Sequence, residues 1–507
     1  MRHKSLTGNK RIHASMKNKH HSGIEDYRKF GASLIEKKQY SEACDFYENT
    51  IKKFPNDFLL FYAKGIAHQH NKQPLEAINS YCQALEINPM VAEAFENLAE
   101  AQTELELFDD ALVSIRTAIT LKPQKALGYA RLARILIRLG QYNEAINIAT
   151  HALNITPKSA TTYMIRSDAY RALNLLENSN SDLLDAIAID PENSEYLYNL
   201  SFNLLLNMDF NEGWLLYESR FKTRKFLENQ PQMVASYWQG SEDLNNKTIL
   251  MVPEQGLGDQ IQFCRYALIL KDLGANVIMP VAPSLIDLLR SMDDSIFVTS
   301  SMQPLSNLPN HDFYIPLMSL PRVLKTDIYQ IPSFNRYLSV DASMDEKWAQ
   351  RFENSTKLQI GIAWSGSALH MNDHNRSMTL SQLQDLFDLD VDFHVLQTDI
   401  RPIDEALLTQ VPLKDWRNEL TNLHETAGLL EQLDLLITVD TSIAHLAAAL
   451  GKPTWIMLPF APDFRWLLER SDSPWYPTVH LFRQHKPRDW DSVVNHIVNT
   501  LSEGSHE

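Results

Sequence analysis

The stretch "KTILMVPEQGLGDQIQFCRYALILKDLG" (residues 247–274) reads as a short β-rich run, a glycine-bearing turn and a helix ended by Gly274. The turn decides what kind of α/β unit follows. A phosphate-binding P-loop needs lysine and Ser/Thr after its second glycine, but Gly258 is followed by Asp259 and Gln260, so that reading fails. A dinucleotide fingerprint needs a third small residue where Ile261 stands, and an acid ending the second strand, where the chain runs Pro280-Val281-Ala282. What remains is a tight turn that puts Asp259 at the start of a helix. There it either caps the free backbone N–H groups or faces a cleft as a general base.

Working outward, "NVIMPVA" (276–282) reads as a second strand, "SLIDLLRSM" (284–292) as a helix and "DFYIP" (312–316) as a further strand. A second series of strands begins at "KLQIGIAWSG" (357–366) and continues through "DFHVLQ" (392–397), "LDLLITVD" (433–440) and "PTWIMLP" (453–459), with helical segments between. Residues 340–356 read as a polar connecting helix. Strand and helix in alternation predict parallel sheets. The expected units are 245–340 and 355–500, with a ligand cleft between the carboxyl ends of their strands.

The first half has another period. Pro55, Pro89, Pro123, Pro157 and Pro191 stand 34 residues apart, with aromatics at Tyr27, Phe61, Phe95, Tyr129 and Tyr163 in the same register. Small residues recur at Ala43, Ala77, Ala111, Ala145 and Ser179, and again at Thr50, Ala84, Ala118, Ala152 and Ala186. Large side chains meeting small ones let two helices cross closely, and each proline stops a second helix. The pattern resembles the tetratricopeptide repeat, an α-solenoid unit that binds protein along its concave face. About six units are expected over residues 23–225; the last lacks the proline and ends near "GWLLYESRF" (213–221). By position alone Tyr62, Glu96, Glu100, Arg134 and Asp168 line the groove.

Composition limits the partners. A formal net charge of −16 over 507 residues argues against nucleic acid, which needs clustered cations. No run of about 18 apolar residues occurs, so no membrane span is expected. Residues 1–22 are basic, lack an apolar core and read as a disordered tail. Cys44, Cys82 and Cys264 form no metal-ligand pattern; each is expected to be a buried, inert thiol in a reduced, cytoplasmic setting.

"VDTSIAHLAAALGKP" (439–453) is a strand end, a turn with two hydroxyls and a small-residue helix. The start of such a helix can receive a diphosphate. His445 on it is either a core histidine or part of that anion site. Together with "GLGDQIQF", "GIAWSGSALHMNDHNRSMTL" and "DFRWLLERSDSPWYPTVHLFRQ", this segment resembles the bacterial tetratricopeptide-containing glycosyltransferases, whose catalytic half is related to the heptosyltransferases. The resemblance implies a GT-B pair of Rossmann-like domains, with a nucleotide-sugar held mainly by the second. By motif it makes Asp259 the catalytic base. Asp440, Thr441, Ser442 and His445 then hold nucleotide and diphosphate, Ser365 and Gly366 form a loop beside them, and Arg376 is the phosphate cation. Ser442 stands where the family usually has glycine, and arginine replaces lysine as the cation.

Gln397, ending its strand, either contacts base or ribose or merely terminates the strand. Trp466, Trp475 and Tyr476 are expected to pack rather than touch substrate; Arg465 is singled out for testing. No carboxylate pair stands beside the nucleotide motif, so neither metal nor separate cofactor is called for. The expected function is transfer of a sugar from a nucleotide-sugar to a protein or glycan acceptor recruited by the repeats, inverting and without metal. The alternatives are a non-catalytic adaptor with a degenerate transferase half and a nucleotide-sugar epimerase.

Overall fold

The structure, a computed structural model, describes residues 23–227, 233, 235–352, 356–370 and 372–503. The basic tail expected over residues 1–22 lies outside them. The chain forms two compact units, one up to Ala169 and the other from Tyr170 onward.

The first unit is built from helix pairs: Ile24–Glu36 with Tyr40–Ile51, Phe58–His70 with Pro74–Ile87, Ala92–Glu104 with Phe108–Leu121, and Ala126–Arg138 with Tyr142–Ile155. The recurrent small residues are where the helices meet: Ala43, Ala77, Ala111 and Ala145 are fully buried. Close approach is strictest at Gly31 and Gly65, where an added Cβ would lie 2.5 Å from the Tyr47 ring and 2.4 Å from the Tyr81 ring. Each pair reverses at a residue with positive φ, namely Lys38, Lys72, Glu106 and Gly140, and the register continues at Asn174 and Met208 in the second unit. Only one of the six is glycine, so the turn signal is absent from the sequence although the turn itself recurs.

Among the expected groove residues, Glu96 is buried and pairs with Lys125 (2.9 Å), and Glu100 pairs with Arg131 (2.9 Å) and lies 3.9 Å from Arg134. The Tyr62 hydroxyl accepts from Asn97 Nδ2 at 3.0 Å, and Asn97 Oδ1 accepts from Arg131 at 3.2 Å. Asp168 sits on the helix Ala160–Ala172. Cys44 and Cys264 are buried; Cys82 is exposed and corrects the expectation for it. Cys82 follows the buried Tyr81, and one residue is a rotation of about 100° on a helix, which turns its thiol outward.

The second unit starts with the helices Leu176–Ile189, Ser194–Leu206 and Phe210–Tyr217 and then carries two all-parallel sheets. The first contains β1 (Ser236–Tyr237), β2 (Thr248–Val252), β3 (Asn276–Val281), β4 (Phe297–Ser300) and β5 (Phe313–Pro316) in the order β1-β5-β2-β3-β4. The second contains β6 (Gln359–Ala363), β7 (Asp392–Val395), β8 (Leu413–Asp415), β9 (Leu435–Val439), β10 (Thr454–Leu458) and β11 (Val479–Arg483) in the order β11-β10-β9-β6-β7-β8. Each order reverses direction once, beside β2 and β5 in one sheet and beside β6 and β9 in the other. Such reversals open a crevice at the carboxyl ends of the strands.

The helix expected to follow β2 is interrupted, giving Leu257–Phe263 and Tyr266–Asp272. Arg265 is the cause: its Nε donates to the Gln262 carbonyl at 2.7 Å, the acceptor an uninterrupted helix would offer to the N–H of Tyr266. The connecting helix is Ala342–Ala349, shorter than the expected 340–356. Phe210, Trp214 and Tyr217 share one apolar core with strand residues Ile249, Met251 and Ile315. The last repeat-register helix is thereby part of the α/β body.

Candidate active site

Asp259 lies in the first turn of the helix Leu257–Phe263 and uses both carboxylate oxygens. Oδ2 accepts the Gly256 N–H at 2.8 Å, the reciprocal half of a capping box, and Oδ1 accepts from Arg465 Nη2. The capping role is therefore real and leaves the second oxygen facing away from the helix. The turn before it is fastened from the repeat side. Gln255, with φ 59°, donates to the Tyr217 hydroxyl, and Glu254 accepts from Arg220 at 3.0 and 2.9 Å. Arg220, 3% exposed, also donates to Glu218 (2.7 Å) and Ser319 (2.7 Å).

Gly258 has a packing reason. A Cβ there would lie 2.9 Å from His445 Cδ2 and 3.6 Å from Ser442 Cα. The helix Leu257–Phe263 after β2 packs directly on the helix Ser442–Ala449 after β9, and Ala444, Ala447, Ala448 and Ala449 are buried beneath. The glycine that suggested a phosphate loop is the notch in which the two helices cross. The two switch points are consequently neighbours: Gly258, the residue before Asp259, stands against Ser442.

After β6, Ser365 and Gly366 turn under Arg376. The guanidinium lies so close over Gly366 that a Cβ would sit 2.5 Å from Nη2, and Nη1 donates to the Asp440 carbonyl at 2.9 Å. Arg376 thus bridges the ends of β6 and β9. Its Nε lies 3.5 Å from Asp373 Oδ1 and has no hydrogen-bond partner among the described residues. Ser377 fixes the loop by accepting the Gly366 N–H (2.9 Å) and donating to Asp373 (2.7 Å); Asp373 also pairs with Arg401. Gln397 is buried and fully used: Oε1 accepts from the N–H groups of Trp364 (3.0 Å) and Ser365 (2.8 Å), and Nε2 donates to Ser365 Oγ and the Asp399 carbonyl. Its amide shapes the Ser365 loop and has nothing left for a base or ribose.

Thr441 is the N-cap of the helix Ser442–Ala449, and no side chain caps it. Its leading N–H groups point out of the end of β9, the arrangement that receives anions. His445 Nδ1 lies 2.9 Å from the Tyr476 hydroxyl, and the ring stacks on Trp466 with centroids 5.4 Å apart. Burial, then the nearby Arg465, Arg265 and Arg376 cations, hold His445 well below the usual imidazole range. It is a neutral spacer between the two helices, with no charge to offer a phosphate. Asp440 is half-buried; loss of solvent there, reinforced by the Asp463 carboxylate, pushes it up to about 6.

Arg465, 8% exposed, reaches from the turn after β10 to Asp259 and Gln262 of the helix after β2. Burial alone would weaken its charge, but the Asp463 and Asp259 carboxylates outweigh it and raise its pKa. Trp466, Trp475 and Tyr476 are fully buried, as expected of packing residues. Sequence reasoning missed Arg265. Fully buried, it donates to the Pro332 and Trp475 carbonyls (3.0 and 2.6 Å) and the Tyr337 hydroxyl (3.0 Å). Nothing in its local pattern marks it, since these three partners are 67 to 210 residues away.

Asp259, Gly366, Arg376, Asp440, Thr441, Ser442 and His445 therefore gather around the two facing switch points. Among the described residues no group of three or more His, Cys, Asp or Glu side chains could hold a metal ion, and no helix is long and apolar enough to cross a membrane. A surface hollow of about 420 Å³ lies elsewhere, and its Glu192 and Glu195 offset its Lys222 and Arg224.

A tetratricopeptide-type solenoid followed by a parallel-sheet α/β region defines the class. Residues 60–89 and 126–159 match the tetratricopeptide repeat, and residues 420–456 match glycosyltransferase family 9 (heptosyltransferase). The latter segment runs from the end of the β8 connection through β9 and the Ser442 helix into β10. The chain is 22% identical over 439 residues to Protein FlbA of Caulobacter vibrioides, covering 82% of this chain and 73% of that one. A shorter match, 32% identical over 97 residues, covers 19% of this chain and 17% of the STIP1 homolog of Dictyostelium discoideum. Among solved structures, a thermophilic TPR protein of Thermus thermophilus aligns with 33% of this chain and 92% of its own, at 20% identity and a TM-score of 0.31.

Proposed function

We propose that the chain is a glycosyltransferase of GT-B build that moves a sugar from a nucleotide-sugar to a protein or glycan acceptor brought by the repeats. The observation that carries this reading is the juxtaposition of Asp259, whose helix abuts Ser442, with the uncapped Ser442 helix start and the Arg376 bridge. The match of residues 420–456 to glycosyltransferase family 9 falls on the same helix start. Asp259 takes the proton of the acceptor hydroxyl as that oxygen bonds to the anomeric carbon. The bond to the diphosphate oxygen breaks on the opposite face, giving inversion. The departing charge is met by the N–H groups of Ser442 and its neighbours and by Arg376. Ser365 and Gly366 shape the floor of the nucleotide side, held by Gln397. A cytoplasmic setting, where nucleotide-sugars are made, fits this reading.

The test is calorimetric titration with ADP, GDP and UDP, followed by a screen of their sugar conjugates for transfer or hydrolysis. Wild type should bind at least one; Arg376→Ala should weaken binding about tenfold. Asp259→Asn should abolish transfer while a nucleotide still binds. No binding by wild type to any of the three would sink the proposal. Mass spectrometry of co-expressed proteins for an added hexose, heptose or N-acetylhexosamine would then identify sugar and acceptor.

A further inference from the structure

The transferase reading leaves the buried cation Arg465 without a task. Arg465 lies in the short turn Phe464–Trp466 after β10 and donates in three directions: Nε to Gln262 Oε1 at 2.7 Å, Nη1 to Asp463 Oδ1 at 2.7 Å, and Nη2 to Asp259 Oδ1. Its guanidinium carbon lies 4.4 Å from the Phe464 ring centroid and 5.6 Å from that of Phe263. Phe464 in turn packs on Trp214 at 5.6 Å. A guanidinium has five N–H groups; three are spent here, and the others have no partner among the described residues. So a rigidly held cation sits against the proposed base, close enough to the end of β9 to act on the Asp440 carboxyl group.

Arg465 is already paired with Asp259 and Asp463, so a diphosphate that reached it would meet carboxylates as well as the cation. That repulsion falls if a carboxyl group becomes neutral as negative charge arrives. Asp259 does that in the transfer itself, because the base ends the step protonated.

We propose that Arg465 is a shared cation, paired with Asp259 before transfer and with the departing diphosphate after it. This rests on the transferase reading and deepens it. The acceptor oxygen forms its bond to the anomeric carbon, and the bond from that carbon to the diphosphate oxygen breaks, its electron pair leaving with the diphosphate. The acceptor proton passes to Asp259, which becomes neutral and gives up its claim on Arg465. One negative charge disappears at the base as one appears on the leaving group, and the guanidinium serves both without moving far. No solvent has to reorganise around a new cation.

The handover makes a prediction opposite to that of simple structural support. Asp259→Asn keeps an acceptor for the Gly256 N–H and imitates the protonated base. Titrated with ADP, GDP and UDP, it should bind the preferred nucleotide about five- to fiftyfold more tightly than wild type. Arg465→Met should bind about tenfold or more weakly, Arg465→Lys should recover part of the loss, and the Asn gain should vanish in Asp259→Asn/Arg465→Met. If Arg465→Met does not fold, the Asp259→Asn and Arg465→Lys titrations still decide the matter. Equal or weaker binding by Asp259→Asn, in a protein whose wild type binds, overturns the handover and leaves the transferase reading standing. Absence of nucleotide binding by the wild type overturns both.

Discussion

Gly258→Ala tests whether the two switch points are held together by direct helix contact. The new methyl group would begin 2.9 Å from His445 Cδ2, closer than carbon atoms tolerate. His445 cannot yield easily, being 5% exposed, stacked on Trp466 and 2.9 Å from the Tyr476 hydroxyl. Ser442 Cα, 3.6 Å from the same point, blocks the alternative of sliding the helix. Overpacking of a site with fixed walls costs about 1–3 kcal/mol. That strain falls on the docking of the two helices and not on either sheet, so it should separate Asp259 from Ser442. Urea unfolding should show the loss, and nucleotide affinity should fall with it. Gly256→Ala is the control: a Cβ there meets only Asp259 Oδ2, at 3.4 Å, and φ is −89°. It should change stability by about 0.5 kcal/mol or less, since the lost unfolded-state entropy of glycine offsets a poorer cap. His445→Ala should rescue Gly258→Ala by most of its cost, as coupled neighbours do. Wild-type stability and nucleotide affinity in Gly258→Ala would refute the argument.

Other outcomes follow from the same geometry. Asp440, pushed up to about 6 from an ordinary value of 3.8, contributes stability that is full below pH ~4 and is lost as pH rises through about 6. The loss is at most about 3 kcal/mol; thermal melts across pH 4–7 should show it in wild type and not in Asp440→Asn. Arg220→Met should cost about 3–5 kcal/mol by denaturant unfolding, because it strands Glu254 in a buried position. Cys82 should react with maleimide in the native protein well before Cys44 and Cys264, whose burial raises their thiols to about 11 and about 12. Equal labelling of all three by peptide mapping would contradict the packing described.

The central strands were legible because β2, β3, β6, β9 and β10 are continuous apolar runs flanked by turn residues. The four strands that gave no clear signal, β1, β4, β8 and β11, are the edges of the two sheets. Three of them, β1, β4 and β8, are only two to four residues long and partly solvated, so their sequences lack the apolar density of the centre; Phe297 in β4 is half exposed. The repeats were legible from spacing alone, since every unit solves the same packing problem at the same offset. In the site, the loops that carry Asp259, Ser365, Asp440 and Ser442 announced themselves through turn chemistry at strand ends. The purpose of Gly258 did not, because the atom that demands it belongs to His445, on the helix that follows β9 in the other sheet. For the same reason Gln397 and His445, plausible ligands by position, prove to be committed to protein partners. Local sequence shows which side chains are available; only the fold shows which are already engaged.

Tyr217 and Arg220 belong to the repeats by period and to the turn before Asp259 by contact. Such double membership has a cost for anyone dissecting the molecule, or for evolution recombining it. A fragment trimmed to begin at residue 245 would lose the phenol that anchors Gln255 and the guanidinium that neutralises Glu254. The boundary between the two compact units lies upstream, between Ala169 and Tyr170, so the α/β body keeps its character only with its final repeat-register helices attached.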